Sequence, residues 1–370
     1  MWHALRVSCR GDQDDLIVNG LRPLFDRIRP VVRGTHFLRH WRQGPHIRCH
    51  FRCEPGRFAE VVLPAAEVLV LPYLRRMPET TGFDEEATLD AHRVLAREEQ
   101  VTGPLLPWIP DRTMRVVPYE DRAPVIGEAE ARMVERFHER TNDLALDQLR
   151  WIIRGDSRAR IAFDLLVASA HALNPGAIGR GSVSLRSHSE SFLTYSGGGS
   201  ELRAGWAREY ASQADRLRRR MCDVVESIDE RTGAFPHVDS WLEVMLPLRD
   251  VAGRLVAAGT LTLDAAHAAG SVREGYTEPS GTGFYHDWMM AHRSGRARVE
   301  SSGWFLTYRW VLNCTYLHLS RIGLPARSRY RLCAYVANAV EEHFGLDTRS
   351  IAETLIGEPA RTRIRTERRF

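Results

Sequence analysis

A chain of 370 residues with ordinary hydrophobic and charged fractions can bury a large core and has the composition of a globular protein. The net charge of +4 is small for this length, and much of the local basic excess lies in the C-terminal RTRIRTERRF, so nucleic acid is not an expected partner. Lysine is absent, which excludes Schiff-base catalysis and the Walker-type phosphate loop. Six irregularly spaced cysteines do not make a disulfide framework. The N-terminus MWHALRVSCRGDQDD turns acidic before a signal-peptide core could form, and no apolar run approaches a membrane span, so a reducing cytoplasm is the expected setting.

In chain order, WHALRVSC alternates like a strand, and DQDDLIVNGLRPLFDRI has helical spacing. In THFLRHWRQGPHIRCHFRC, residues 35–53, the stretches at about 36–41 and 46–53 flank the turn residues Arg42-Gln43-Gly44-Pro45 and are expected to pair as an antiparallel hairpin. The period of two sends Ile47, Cys49 and Phe51 to a buried face, and His46, Arg48 and His50 to a cationic face lining a groove. A zinc site is not expected, because His46 and His50 leave one face while Cys49 and Cys53 leave the other. The guanidinium-rich face suits carboxylates or amide oxygens. PYEDR, residues 118–122, ends a β-like run, and Glu120 there has Arg122 as its nearest candidate partner.

Beyond about residue 127 the pattern becomes helical: two long helices over 127–153 and 160–173, then 201–228, 238–259, 303–323, 328–345 and a short one near 348–356. The glycine- and serine-rich NPGAIGRGSVSLRSHSESFLTYSGGGS reads as an extended connector in which Arg186, His188 and Glu190 share a face. Ser187 beside His188 does not make a hydrolase pair, since strand neighbours point apart and no nucleophile elbow is present. GYTEPSGTGFYHDW, residues 275–288, is a hydroxyl-rich loop carrying Ser280 and Tyr285. The fold class is therefore α+β: a β-rich N-terminal lobe with the hairpin and a largely helical remainder, in one domain over 1–357 followed by an Arg-rich, disordered tail over 358–370.

Phe37-Leu38-Arg39-His40-Trp41 followed by Gly44-Pro45-His46-Ile47-Arg48 resembles the "FIRY…HIRLR" hairpin of the lantibiotic dehydratase C-terminal, or thiopeptide-type bacteriocin biosynthesis, family. PYEDR and the helix from Glu128 to Phe137 resemble that family's "Y-x-x-E-x-x-R-Y-G-G" stretch and the helix after it, with Ala123-Pro124-Val125-Ile126 where the glycine pair would stand. LNCTYLHLSRIGL resembles the "HMxxNRL" helix. The resemblance implies a fold like the LanB-type glutamate-elimination domain. It implies one of two chemistries: glutamate elimination from glutamylated Ser or Thr, or the formal [4+2] aza-cycloaddition of two dehydroalanines by thiopeptide pyridine synthases. Tyr316 stands at the family histidine, with His318 two residues on, and this departure together with the Ser280–Tyr285 loop favours the pyridine synthases.

On that resemblance Tyr285 is the expected general acid, Ser280 orients the reacting amide, His188 and Glu120 shuttle protons, and Arg39, His46, Arg48 and Tyr316 hold the substrate. No cofactor is implied. The expected partner is an azole-containing dehydrated precursor peptide with its leader. Without the glutamylation domain of full-length dehydratases, transfer RNA is not an expected substrate. A non-catalytic peptide-binding scaffold is the remaining alternative, since a basic hairpin fits that role too.

Overall fold

The computed structural model describes residues 1–98, 103–195, 199–263, 299–347 and 350–353. They form two compact units: Met1–Asp156 with Ser320–Gly323, and Ser157–Leu263 with the rest of the C-terminal helical region. The expected tail over 358–370 lies outside the described residues.

The first unit is built on a four-stranded antiparallel sheet, β1 (Trp2–Ser8), β2 (Gly34–His40), β3 (His46–Arg52) and β4 (Thr113–Val117), in the order β2-β3-β1-β4. The hairpin pairs His40 with His46, Phe37 with Cys49 and Thr35 with Phe51, as the alternation predicts. Gln43 and Gly44 close its turn in positive-φ conformations. One face carries Leu5, Val7, Phe37, Ile47, Cys49 and Phe51, all buried. The helical stretch from Gln13 through α1 (Arg22–Ile28) covers this face, with Phe25 6.0 Å from Phe51. Each such aliphatic or aromatic side chain removed from water contributes about 1.5–3 kcal/mol. A helix that the sequence reading passed over, α2 (Leu63–Arg76), adds Ala66, Val70 and Leu74 to the same core. A further one, α3 (Glu85–Glu98), follows it.

The opposite, cationic face is covered as well. Residues 127–153 form two helices, α4 (Glu128–Arg140) and α5 (Asn142–Ile153), and not one. His138 of α4 stacks on His36 at 5.2 Å, and His36 lies 4.5 Å from His50. His46 and His50 are consequently buried, and only Arg48 and Arg52 of the alternating set keep partial exposure. The expectation of an open groove along this face is corrected at its histidines.

The second unit is helical among its described residues: α6 (Arg158–Ala172), α7 (Ala177–Tyr195), α8 (Gly199–Ala211), α9 (Ala214–Glu230), α10 (Pro236–Ala257), α11 (Gly303–Arg321, whose last residues belong to the first unit) and α12 (Ala326–Phe344). The expected extended connector is α7. Among its buried positions, Ile178, Ser182, Leu185, Ser189 and Leu193 recur at three- and four-residue intervals, and two of these are serines. Small residues are required there because the helices approach closely: a Cβ at Gly181 would meet the Ala170 carbonyl oxygen at 2.1 Å. At the centre of this unit Ser169 contacts the Thr315 hydroxyl at 3.1 Å and accepts from Trp241 Nε1 at 3.1 Å, tying α6, α10 and α11. The buried Asp164 carboxylate accepts from Arg220 Nε at 2.9 Å and from His237 at 2.7 Å, linking α6 to α9 and α10.

Candidate functional site

On the polar face of the sheet the registers align Arg48 of β3 with Arg6 of β1, and Arg6 with Arg115 of β4. Three guanidinium groups thus stand in a row across adjacent strands, where like charges repel unless something answers them. Arg6, only 7% exposed, turns its charge onto the hairpin turn, donating to the carbonyls of Arg42 at 3.0 Å and Gln43 at 3.1 Å. Its burial and the neighbouring cations Arg48, Arg42 and Arg115 lower its pKa to about 10. The answering anion is Glu120, which binds Arg42 Nη2 at 2.7 Å and Arg48 through a short contact. Sequence proximity suggested Arg122 as its partner; the hairpin arginines take that place. Burial works against the Glu120 charge, but the hydrogen bond from Arg48 and the fields of Arg48, Arg42 and Arg122 outweigh it, and its pKa falls below the ordinary carboxylate range. Such a group is a fixed anion near neutral pH and not a ready acid. His46 lies behind this pair, with Nδ1 2.8 Å from the Gly44 carbonyl and Nε2 accepting from Arg48 at 3.3 Å. Burial lowers its pKa to about 2, with Arg6, His40 and Arg48 acting in the same direction against the Gly44 hydrogen bond.

Arg39 is not part of this cluster. β2 pairs Arg39 with Ile47, and residues facing each other across a ladder share a side of the sheet, so Arg39 leaves the apolar face while Arg48 leaves the polar one. Arg39 pairs with Asp14, contacts Gln13 Oε1 at 3.2 Å and donates from Nε to the Arg321 carbonyl at 2.8 Å. Arg321 reciprocates at the free edge of β2, donating from Nε to the Phe37 carbonyl at 3.0 Å. Its remaining donors reach the His138 carbonyl, Thr141 Oγ1 at 2.8 Å and Asn142 Oδ1 at 2.8 Å, and its guanidinium covers the Phe37 ring at 4.9 Å. This buried cation therefore seals an edge strand with neutral acceptors, and burial lowers its pKa to about 9.

In the second unit, residues 186–190 lie on α7, so the expected shared strand face of Arg186, His188 and Glu190 is corrected to helical spacing. Arg186 and Glu190 lie one turn apart. Arg186 binds Glu341 of α12 at 2.7 Å, and Glu190 binds Arg203 of α8 at 2.6 Å. His188 points elsewhere, placing Nδ1 2.7 Å from the Tyr316 hydroxyl of α11. That hydroxyl lies 3.5 Å from Cys333 Sγ of α12, and Arg329 covers the Tyr316 ring at 4.8 Å. His318, two residues beyond Tyr316, leaves the other side of α11 and packs on Trp241 at 4.9 Å. Burial, then Arg329 and Arg309, lower the His188 pKa to about 4, so its imidazole is neutral at physiological pH.

Of the predicted residues among the described ones, Arg48, His46 and Glu120 come together in the first unit, with Arg39 on the other face of its sheet, and His188 and Tyr316 come together in the second. Ser280 and Tyr285 lie outside the described residues. Among the described residues no group of three or more His, Cys, Asp or Glu is placed to hold a metal ion. No described helix is long and apolar enough to cross a membrane.

The family described as lantibiotic biosynthesis dehydratase C-term matches residues 2–340. The chain belongs to that family. Among solved structures similar to it, "Pyridine synthase, TbtD, from thiomuracin biosynthesis" is 32% identical, with a TM-score of 0.77 over 94% of this chain and 99% of that one. TsrL is 22% identical, with a TM-score of 0.71 over 97% of this chain and 99% of the other, and shares the fold. No curated protein sequence matches. In this member of the family, Arg321 at the end of α11 holds the edge of β2, and Tyr316, the residue that the resemblance sets at the family histidine, contacts His188. Sequence reading passed over Arg321 as a structural group. Its one signal was its place in the resembling motif, and its partners are nearly two hundred or more residues away along the chain.

Proposed function

We propose that this protein is a thiopeptide pyridine synthase and macrocyclase. It folds two dehydroalanines of one ribosomally made precursor peptide together, joins them by a formal [4+2] aza-cycloaddition, and promotes loss of water and of the leader peptide. The observation that carries this reading is the 32% identity to the thiomuracin pyridine synthase over nearly the full length of both chains. Tyr316, where elimination enzymes of the resembling family carry histidine, supports it further. The chemistry suits a site that positions more than it reacts: bringing two alkenes of one chain into contact is worth roughly 7–11 kcal/mol. Acid–base groups then assist the amide-to-iminol shift and water loss by about 10²–10⁴-fold apiece.

In this reading Tyr285 is the general acid and Ser280 orients the amide. His188 serves the same step from α7. Arg48 contacts peptide oxygens, with Glu120 as its counter-ion and His46 bracing it from behind. Arg39 is assigned to holding the fold. The substrate is a dehydrated, azole-bearing precursor peptide.

Glutamate elimination is the second reading, favoured by one observation. Arg42 and Arg48 already hold a carboxylate, that of Glu120, in the way a glutamyl group would need. Incubating the purified chain with the dehydrated azole-bearing peptide and, separately, with its glutamylated precursor divides the two. Ring closure with release of the leader supports the synthase. Release of glutamate from the second peptide alone would replace it with elimination.

A further inference from the structure

The sheet of the first unit has two outer edges, and they are finished differently. At the β2 edge Arg321 donates to the Phe37 carbonyl at 3.0 Å. The other edge is β4, which pairs with β1 alone. Beyond that ladder no backbone group of Thr113–Val117 has a bonding partner among the described residues. Alternate amides and carbonyls of an edge strand point away from its neighbour, so β4 offers a template on which an extended chain can add.

The side chains along this edge define which chain fits. Arg115 lies beside Arg6 on the polar face of the sheet, while Met114 and Val116 lie beside Val7 and Leu5 on the apolar one. Val116 is 57% exposed, an apolar side chain left uncovered at the edge. Arg115 is exposed, as is Arg122 just beyond the strand, and neither takes part in an ion pair among the described residues. The nearby carboxylates are engaged elsewhere: Glu120 by Arg42 and Arg48, and Asp121 by Arg132. The row Arg48–Arg6–Arg115 therefore reaches the open edge with its last charge unanswered. Neighbouring groups register the excess of positive charge: burial, then the fields of Arg48, Arg42, Arg6 and Arg122, lower the His40 pKa to about 3.

We propose that the β4 edge docks an extended segment of the precursor peptide in which acidic residues alternate with apolar ones, the carboxylates facing Arg115 and Arg122 and the apolar side chains extending the row of Met114 and Val116. The precursor as occupant rests on the function proposed above; the acidic, alternating chemistry rests on the edge itself. Dehydroalanine and azole side chains carry no charge, so the carboxylates belong to the leader. Successive side chains of an added strand point to opposite faces, and only an alternating pattern answers both the arginine and the valine. A second copy of the chain fits this edge poorly. Arg115 is the middle residue of β4, so full antiparallel pairing of two β4 strands would set the two Arg115 guanidinium groups opposite each other.

The test titrates the full chain into a fluorescein-labelled octapeptide that alternates glutamate with valine, read by fluorescence anisotropy. The peptide should bind saturably, and more weakly as salt rises. The same peptide with glutamine for glutamate, and one with its glutamates and valines in separate blocks, should bind about 10-fold more weakly, as should the alternating peptide to Arg115→Glu, shown folded by its thermal melt. Arg122→Glu should act in the same direction. Methyl groups on alternate amide nitrogens of the peptide should abolish binding in one phase and spare it in the other, because only every second amide faces the ladder. Equal effects of the two phases, equal binding of the block peptide, or binding unmoved by Arg115→Glu overturns the proposal. A dimer seen by light scattering that excludes the peptide also overturns it, by giving the edge to a second copy. With the dehydrated azole-bearing precursor, leader attached, Arg115→Glu should raise KM by about 10-fold at nearly unchanged kcat, and an unchanged KM overturns the leader as occupant. A chain that binds the alternating peptide but closes no ring would defeat the proposed function and leave the docking edge standing.

Discussion

Replacing Arg321 by methionine tests how the first unit holds the β2 edge of its sheet. The guanidinium makes four donations: to the carbonyls of Phe37 and His138, at 3.0 and 3.3 Å, and to Thr141 Oγ1 and Asn142 Oδ1, both at 2.8 Å. Thr141 keeps its own bond to the Phe137 carbonyl at 2.8 Å, so its loss is partial. The two backbone carbonyls are different, because each would be left buried without this donor at a cost of about 1–3 kcal/mol. Methionine fills similar volume and relieves the desolvation that lowers the Arg321 pKa, which offsets part of the loss. Two carbonyls stranded at that cost, less the desolvation recovered, put Arg321→Met at about 2–4 kcal/mol of lost stability. Arg321→Lys should recover little, since an ammonium cannot serve Phe37, Thr141 and Asn142 through one planar fork. Urea unfolding followed by circular dichroism reads the change as a lower midpoint at constant slope. An Arg321→Met midpoint corresponding to less than about 1 kcal/mol would refute the claim that this side chain seals β2.

The buried histidines make stability depend on pH in a defined direction. His46 and His50 have pKa values lowered by burial to about 2 and about 3, against about 6.5 unfolded, so below 6.5 the unfolded chain binds protons that the folded chain refuses. Stability should be level above pH 7 and fall as pH drops from about 6.5 toward 3, by about 2–3 kcal/mol between pH 7 and 5.5 from this pair; a midpoint of unfolding unchanged over that interval would contradict their burial as neutral rings. Asp164→Leu should destabilise by about 3–5 kcal/mol by stranding Arg220 and His237, and a double variant that also replaces both partners by apolar residues should recover much of it, as chemical denaturation would measure. Arg39→Ala should lower stability through Asp14 and the Arg321 carbonyl while sparing peptide affinity, whereas Arg48→Ala should weaken peptide binding, as fluorescence titration would register; the reverse partition would return Arg39 to the substrate. Tyr285→Phe should reduce turnover by about 10²–10⁴-fold at nearly unchanged affinity, and a near-wild-type rate would remove Tyr285 as the acid.

The hairpin was legible because its chemistry is local: alternation over His46–Arg52 and the Arg42–Pro45 turn set both the strand and its register. The role of its charges was not, because that depends on neighbours the pattern does not name. Arg39 and Arg48 look equivalent in sequence, yet one registers with Ile47 and the other with Leu38, which sends them to opposite faces. Helix α7 was hidden by its serines and glycines, which read as loop chemistry but occupy close-packed positions, as Gly181 does against Ala170. The separation of His188 from Ser187 was expected for a strand and holds equally for a helix, whereas the pairing of His188 with Tyr316 spans 128 residues and leaves no local trace.

Pyridine formation is tested most directly by following one nitrogen. A precursor peptide carrying 15N at the dehydroalanine amide whose acyl carbonyl is to lose water is incubated with the chain, and the product is examined by NMR and mass spectrometry. A pyridine synthase should turn the label into the nitrogen of an aromatic six-membered ring, with loss of water and of the leader peptide. A label that stays in an open-chain amide, with the peptide mass unchanged, would contradict that activity.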